Sequence, residues 1–292
     1  MENRLLDASD LDLVRQLTIS VKRRATNLAT GEQRSPSLGG GIEFADYREY
    51  IPGDDIRQVD WTIFRRLRKL LIKQSAEEKE LSLMLILDNS RSMNFGEYDK
   101  LDLAKRICAV LCGIAMTSGN RAGLLTWGES LREVLPPQRN IRSLSFVTER
   151  IKNISEVQTV DYRSCMRAFA SRYGRRCVAI LVSDLLYPEW PQVISSLAAS
   201  GCESHVIQIL CPSELNPSPQ GEVTFVDSEN GSEVPLHINA KNIQGYRQIL
   251  KTYLDEVLSS CRSKGIGCTQ VSSDRPLAAV FHQDLRKGGL VC

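Results

Sequence analysis

The chain has only three histidines among its 292 residues, and His205, His237 and His282 fall in unrelated predicted elements, so no imidazole cluster stands ready for metal binding or proton transfer. Its nine cysteines, at 108, 112, 165, 177, 202, 211, 261, 268 and 292, form no Cys-x-x-Cys pair and no zinc-type spacing. Most read as reduced core residues, with Cys108 and Cys112 on one helix face. The longest apolar run, "ICAVLCGIAM", falls far short of the roughly 20 residues that span a bilayer. The opening "MENRLLDASD" places acids early and lacks the basic-then-apolar order of a signal peptide. Neither sign of charge dominates: the formal net charge is +2, and residues 1–80 hold 14 basic against 14 acidic side chains, which removes the electrostatic case for nucleic acid. "GGG" at 39–41 lacks the following Lys and Ser or Thr of a phosphate-binding loop. These absences predict a soluble, cytoplasmic chain with no membrane span, no nucleic-acid partner and no nucleotide site.

What is present is an ordinary globular composition, 42% hydrophobic and 25% charged, in a chain long enough for one large domain or a domain with a smaller attachment. Val14, Leu17, Val21, Ala25 and Leu28 repeat at spacings of three and four and predict an N-terminal helix, with Ser9 and Asp12 as a capping box and Gly31 as its end. "GEQRSPSLGGG" then marks a flexible connection. The expected organisation is a front piece, 1–75, packed on a main domain, 76–292. From residue 81 buried-type strands alternate with helical stretches: "LSLMLIL", a helix over 100–118, "RAGLLTW", a weaker strand near "LREVL", helices near 140–152 and 162–173, then "CVAILVSD" and "HVIQIL". Apolar strands separated by amphipathic helices require a sheet covered on both faces, so the fold class is α/β: a Rossmann-like, doubly wound, mainly parallel sheet. "GEVTFVDSENGSEVPLHI" reads as a β-hairpin inserted at about 221–238 around an Asn230-Gly231 turn, before a helix over 242–262. "GIGCTQVS" makes the last strand and a helix follows from about Pro276.

Sites in such sheets form beyond the carboxyl ends of the strands. There "LDNSRS" sets Asp88, Ser90 and Ser92 at alternate positions, and two later loops bring Thr159 in "VQTVDYRS" and Asp184 at the end of "AILVSD". Hydroxyls and carboxylates make an all-oxygen ligand set, which suits a hard divalent cation such as Mg²⁺ or Mn²⁺ rather than zinc. With few direct carboxylates, binding is expected to be weak. The alternative is that Asp88 caps the following helix while the serines satisfy loop amides, and that Asp184 is a loop cap or ion-pair partner.

These residues resemble the von Willebrand factor A fold, whose metal-ion-dependent adhesion site combines D-x-S-x-S in one loop, a Thr in a second and an Asp in a third. The resemblance implies that Ser90 and Ser92 bind the metal directly and that Asp88 and Asp184 act largely through water. It also implies an open position that accepts an acidic side chain of a partner. The Thr of such domains often follows glycines, whereas Thr159 follows "VQ", and Asp161 stands close enough to take its place.

A second segment, "GIEFADYREYIPGDDIRQVDWTIFRRLRKLLIKQ", carries Arg48, Tyr50, Gly53, Asp54, Asp55, Arg57, Asp60 and Trp61 in order, and Met93 follows the serines. This is similar to the bacterial and archaeal family catalogued as domain of unknown function fifty-eight, and the likeness extends to "GEVTFVDSENG" and "LRKGGLV" near the end. The resemblance implies a non-enzymatic adaptor or cochaperone for a MoxR-type AAA+ ATPase. Physically, "YIPGDDIRQVDW" is either an ion-paired turn, with Arg48 and Arg57 holding the acids and Trp61 packed on the sheet, or an acidic site. In the second case Asp54, Asp55 or Asp60 would join the cation in a hydrolase. The basic run "RRLRKLLIK", interleaved with leucines, reads as an edge strand with one solvated face.

Overall fold

A computed structural model describes residues 5–20, 44–52, 54, 56, 59–75, 82–94, 98–174, 177–217, 221–226, 233–238 and 240–292. In chain order the elements are α1 (Ala8–Gln16), β1 (Phe44–Glu49), α2 (Trp61–Leu67), β2 (Leu71–Ser75), β3 (Ser82–Leu87), α3 (Lys100–Thr117), β4 (Arg121–Thr126) and β5 (Arg132–Gln138). They continue with α4 (Leu144–Lys152), α5 (Tyr162–Tyr173), β6 (Cys177–Ser183), α6 (Trp190–Ala199), β7 (Glu203–Leu210) and α7 (Pro212–Leu215). The last are β8 (Gly221–Val226), β9 (Glu233–Ile238), α8 (Ala240–Ser263), β10 (Gly267–Ser272) and α9 (Leu277–Ala279), which runs into a π-helical turn, Val280–Leu285. Two units separate: Met1–Arg23 with Leu81–Cys292, and Arg24–Glu80.

The larger unit is built on a six-stranded sheet of order β10-β7-β6-β3-β4-β5. All neighbours are parallel except β5, which runs antiparallel to β4 at the edge. β5 carries Pro136 and Pro137, which cannot donate to a ladder, and its register with β4 shifts between Ala122 and Leu125; an edge is where both are tolerated. The two central strands are the most apolar: every residue of β6 and all but the first of β3 are buried. That is what coverage on both faces demands. Alternation then divides β3, with Leu83, Leu85 and Leu87 packing in the core that includes α3, and Met84 and Ile86 in the core that includes α5 and α6. The strand order reverses between β3 and β6, which fixes a crevice at their carboxyl ends. The arrangement is α/β, a doubly wound and mainly parallel sheet, as the strand pattern predicts. Among the described residues no helix is long and apolar enough to cross a membrane.

α1 differs from the sequence expectation in its caps and its length. Asp7, not Ser9, is the N-cap: its Oδ1 accepts the Asp10 N–H at 2.9 Å while Asp10 Oδ2 accepts the Asp7 N–H at 3.1 Å. The helix stops at Gln16 because Leu17 turns extended and the chain then pairs with the C-terminus. Thr18 and Cys292 exchange both backbone hydrogen bonds, and Ile19 bridges Val291. The positions expected to prolong it, Val21, Ala25, Leu28 and Gly31, lie outside the described residues. Leu6, Leu13, Val14 and Leu17 join the core shared with α3, and one guanidinium nitrogen of Arg106 of α3 donates to both carboxylate oxygens of the buried Asp10, at 2.9 and 3.1 Å.

In the smaller unit β1 and β2 pair antiparallel, Glu49 opposite Leu71. The basic run is not one edge strand. Asp60 caps α2 by accepting from Thr62 and Ile63 N–H, Arg68 takes a left-handed conformation (φ 54°), and only then does β2 begin. Trp61 is 53% exposed and meets Phe64 edge-on at 6.0 Å. β8 and β9 form the predicted hairpin, with Gly221 opposite Ile238. Its Asn230-Gly231 turn lies outside the described residues.

Candidate metal centre

Asp88 follows the last residue of β3, and its backbone N–H still donates to Val182 of β6 at 2.9 Å, which seats it on the floor of the crevice. Both its oxygens are engaged: Oδ1 accepts the Ser90 N–H at 3.0 Å and Oδ2 accepts the Ser183 hydroxyl at 2.6 Å. The side chain is fully buried. Burial, and then the charge of Asp184, push its carboxyl up to about 6. After Ser90 the chain enters a short 3-10 helix, Arg91–Asn94, whose buried Met93 pins it to the core. This turn brings Ser90 Oγ and Ser92 Oγ to 3.1 Å of each other.

Asp184 follows β6 and is also fully buried. Its Oδ1 accepts the Leu186 N–H at 3.0 Å, across a turn in which Leu185 holds a left-handed φ of 58°. Its Oδ2 receives the Lys100 ammonium at 2.8 Å, and the same ammonium contacts Glu214 Oε1 at 2.6 Å. Burial pushes the Lys100 ammonium toward neutrality, but the charges of Asp184 and Glu214 outweigh it and raise its pKa.

The segment bearing Thr159 runs beside the serine loop: Val157 N–H donates to Asn89 O at 2.8 Å, Asn89 Nδ2 donates to Ser155 O at 2.7 Å, and Ser90 bridges Val157. Thr159, two residues farther on, is exposed. Asp161 instead caps α5, its Oδ1 accepting the Ser164 N–H at 2.9 Å, and those hydrogen bonds lower its pKa. The structure therefore brings Asp88, Ser90 and Ser92 directly together, sets Asp184 beside them through Ser183, and lays the Thr159 segment along one side.

The donor set suits a hard divalent cation. Two ligands on adjacent corners of an octahedron at about 2.1 Å from Mg²⁺ stand about 3.0 Å apart, close to the serine spacing. The charges agree as well: Asp88, Asp184 and Glu214 against Lys100 leave two negative charges, which one divalent cation cancels.

Three members of this cluster escape the sequence reading. Ser183 and Glu214 reach it only through the pairing of distant loops. Lys100 does leave a signal, since it occupies the stripe of Leu103, Ala104 and Ile107, a cation where the pattern calls for an apolar residue.

The family described as "Protein of unknown function DUF58" matches residues 46–252. An uncharacterized protein of Mycobacterium tuberculosis is 25% identical over 286 residues, spanning 95% of this chain and 90% of its own. Among solved structures, the conserved hypothetical protein BatB from Bacteroides thetaiotaomicron is 15% identical, with a TM-score of 0.42 over 71% of this chain and 98% of that one. The vWF domain of the type V pili tip protein Mfa5 from Porphyromonas gingivalis is 13% identical, with a TM-score of 0.31 over 36% and 38%.

Proposed function

We propose that this chain, which belongs to the DUF58 family, uses its sheet unit as a non-enzymatic, metal-dependent protein-interaction module. Ser90 and Ser92 would hold Mg²⁺ or Mn²⁺, Asp88 and Asp184 would act largely through water, and Thr159 would complete the set from the neighbouring loop. When bound, the cation supplies an open coordination position for an acidic side chain of a partner. The partner we propose is a MoxR-type AAA+ ATPase or the client it remodels, which makes the chain a cytoplasmic adaptor or cochaperone. The observation that carries this reading is the buried, hydrogen-bonded Asp88 beneath two serine hydroxyls 3.1 Å apart at the reversal of strand order. A hydrolase working through Asp54, Asp55 or Asp60 has less support. Asp54 Oδ2 accepts the Ile51 N–H at 2.9 Å and Asp60 Oδ1 caps α2, so both serve local structure, while Asp55 lies outside the described residues.

The test is capture of a purified MoxR-type ATPase by the full chain. Binding is expected in magnesium, lost in EDTA, restored by added Mg²⁺, and absent in a folded variant with Ser90→Ala and Ser92→Ala. Capture that survives both chelation and the double substitution overturns the module. Magnesium-dependent turnover of a phosphoester or peptide that maps to Asp54 or Asp55 puts the hydrolase in its place.

A further inference from the structure

Lys100 is hard to explain as a device for stability. It is the first residue of an 18-residue helix, where the positive end of the helix dipole disfavours a cation. It is also fully shielded from water, and a buried ion pair returns little net stability because both charges lose their hydration. Yet the ammonium is firmly placed. It lies 2.8 Å from Asp184 Oδ2 and 2.6 Å from Glu214 Oε1. Glu214 is held in turn, its Oε2 accepting the Cys211 N–H at 2.7 Å and its backbone carbonyl accepting the Tyr246 hydroxyl at 2.8 Å. Asp184 is tied on its other oxygen to Leu186 N–H.

We infer that Lys100 and Glu214 are specificity-determining residues of the metal centre: Lys100 is a built-in cation that turns Asp184 away from direct ligation, and the pair sets the charge presented to the metal at minus two. The inference rests on the proposed metal-dependent reading and deepens it. Three carboxylates without the ammonium would present three negative charges, drawing Asp184 onto the metal and filling the position reserved for a partner's carboxylate. Loss of the Glu214 charge would leave one, too few to hold a divalent cation well. Divalent binding with an open position therefore depends on two residues that need not touch the metal.

Calorimetric titration of Mg²⁺ into the full chain tests this. Glu214→Gln keeps the side-chain shape and can still accept from Cys211 N–H with its one oxygen, while Lys100 stays paired with Asp184; the variant is expected to bind Mg²⁺ at least roughly tenfold more weakly, given charges several ångströms apart at an effective dielectric near 20. Lys100→Met combined with Glu214→Gln restores the net charge and is expected to recover most of that loss. A structural role alone would move the thermal midpoint of Glu214→Gln and leave its Mg²⁺ affinity within about twofold of wild type. That outcome overturns the inference, as does a folded double variant that binds no better than Glu214→Gln. If wild type takes up Mg²⁺ and Asp88→Ala does not, while Glu214→Gln matches wild type, only the role of Lys100 and Glu214 falls. If wild type and Asp88→Ala are equally silent, the metal-dependent reading falls and takes this inference with it. The Glu214→Gln arm decides even where the double variant does not fold.

Discussion

A Cβ added to Gly113 would lie 2.8 Å from Val14 Cγ2 and 2.9 Å from Val14 Cγ1. Gly113 lies inside α3, where glycine costs about 1 kcal/mol against alanine in helix propensity, so the close approach of α1 outweighs the local preference. Gly113→Ala should cost about 1–3 kcal/mol through overpacking. The cost should shrink in a Val14→Ala background, which opens the space. Urea unfolding of the four members of that cycle measures it, and equal costs in both backgrounds would refute the contact argument.

The same packing predicts what truncation does. A chain beginning at residue 81 retains the whole six-stranded sheet but loses Leu6, Leu13, Val14 and Leu17 from the core. It also leaves the Arg106 side without Asp10 and strips Val291 of its bridge to Ile19. Each large apolar side chain removed from a core costs about 2–5 kcal/mol. The truncated chain should therefore be insoluble or melt far below the full chain, whereas Leu13→Ala alone should lose about 2–4 kcal/mol. A truncated chain with an unchanged thermal midpoint would show that α1 contributes nothing.

His205 gives a pH signature. It is buried, its Nε2 lies 2.9 Å from Thr269 Oγ1, and a Cβ on Gly267 would fall 2.2 Å from its Nδ1. Burial pushes its pKa down from 6.5 to about 4. The folded value is below the unfolded one, so its contribution is fully present above pH 6.5 and is lost as pH falls through about 4. The loss is on the order of 3 kcal/mol. His205→Gln should flatten the stability profile over that window, measured as the difference in urea midpoints between wild type and variant at pH 7, 5.5 and 4. Parallel profiles would mean the imidazole is not held neutral. Gly267→Ala, which drives a methyl into the ring, should be destabilising at every pH.

How far the sequence carries the fold follows from where each signal is local. The apolar runs of β3, β6 and β7 and the amphipathic helices between them announce a covered parallel sheet, and the two alternating runs at 221–226 and 233–238 announce their hairpin. The ends of elements are less readable. Asp7 and Ser9 are both good N-caps by chemistry, and only the backbone path out of Leu6 selects Asp7. The end of α1 at Gln16 depends on pairing with Cys292, a partner 274 positions from Thr18 that no window contains. "RRLRKLL" contains a helix end, a left-handed turn and a strand start within seven residues, too short for either period to emerge. At the candidate site, Asp88, Ser90 and Ser92 are legible because their geometry is local. The hydroxyl of Ser183, 95 positions from Asp88, and the ammonium bridge to Glu214, 114 positions from Lys100, are set by strand order instead.

Asp88 itself provides the most direct test of the centre, because its two hydrogen bonds separate the carboxylate's charge from its orientation. Asp88→Ala removes the charge and should abolish Mg²⁺ heats in calorimetry, from an affinity expected to be weak given how few carboxylates ligate directly. Ser183→Ala retains the charge but frees Oδ2 from the hydroxyl 2.6 Å away that aims it. Outer hydrogen-bonding partners of metal ligands are worth about 10–100-fold in affinity, so Ser183→Ala should weaken Mg²⁺ within that range without abolishing it. Far-ultraviolet circular dichroism of both variants should match wild type, since neither substitution removes apolar core. Mg²⁺ binding by Asp88→Ala equal to wild type would remove these loops from consideration as a metal centre. A Ser183→Ala variant with unaltered affinity would mean that the loop backbone alone, through the Ser90 N–H at 3.0 Å, is enough to orient the carboxylate.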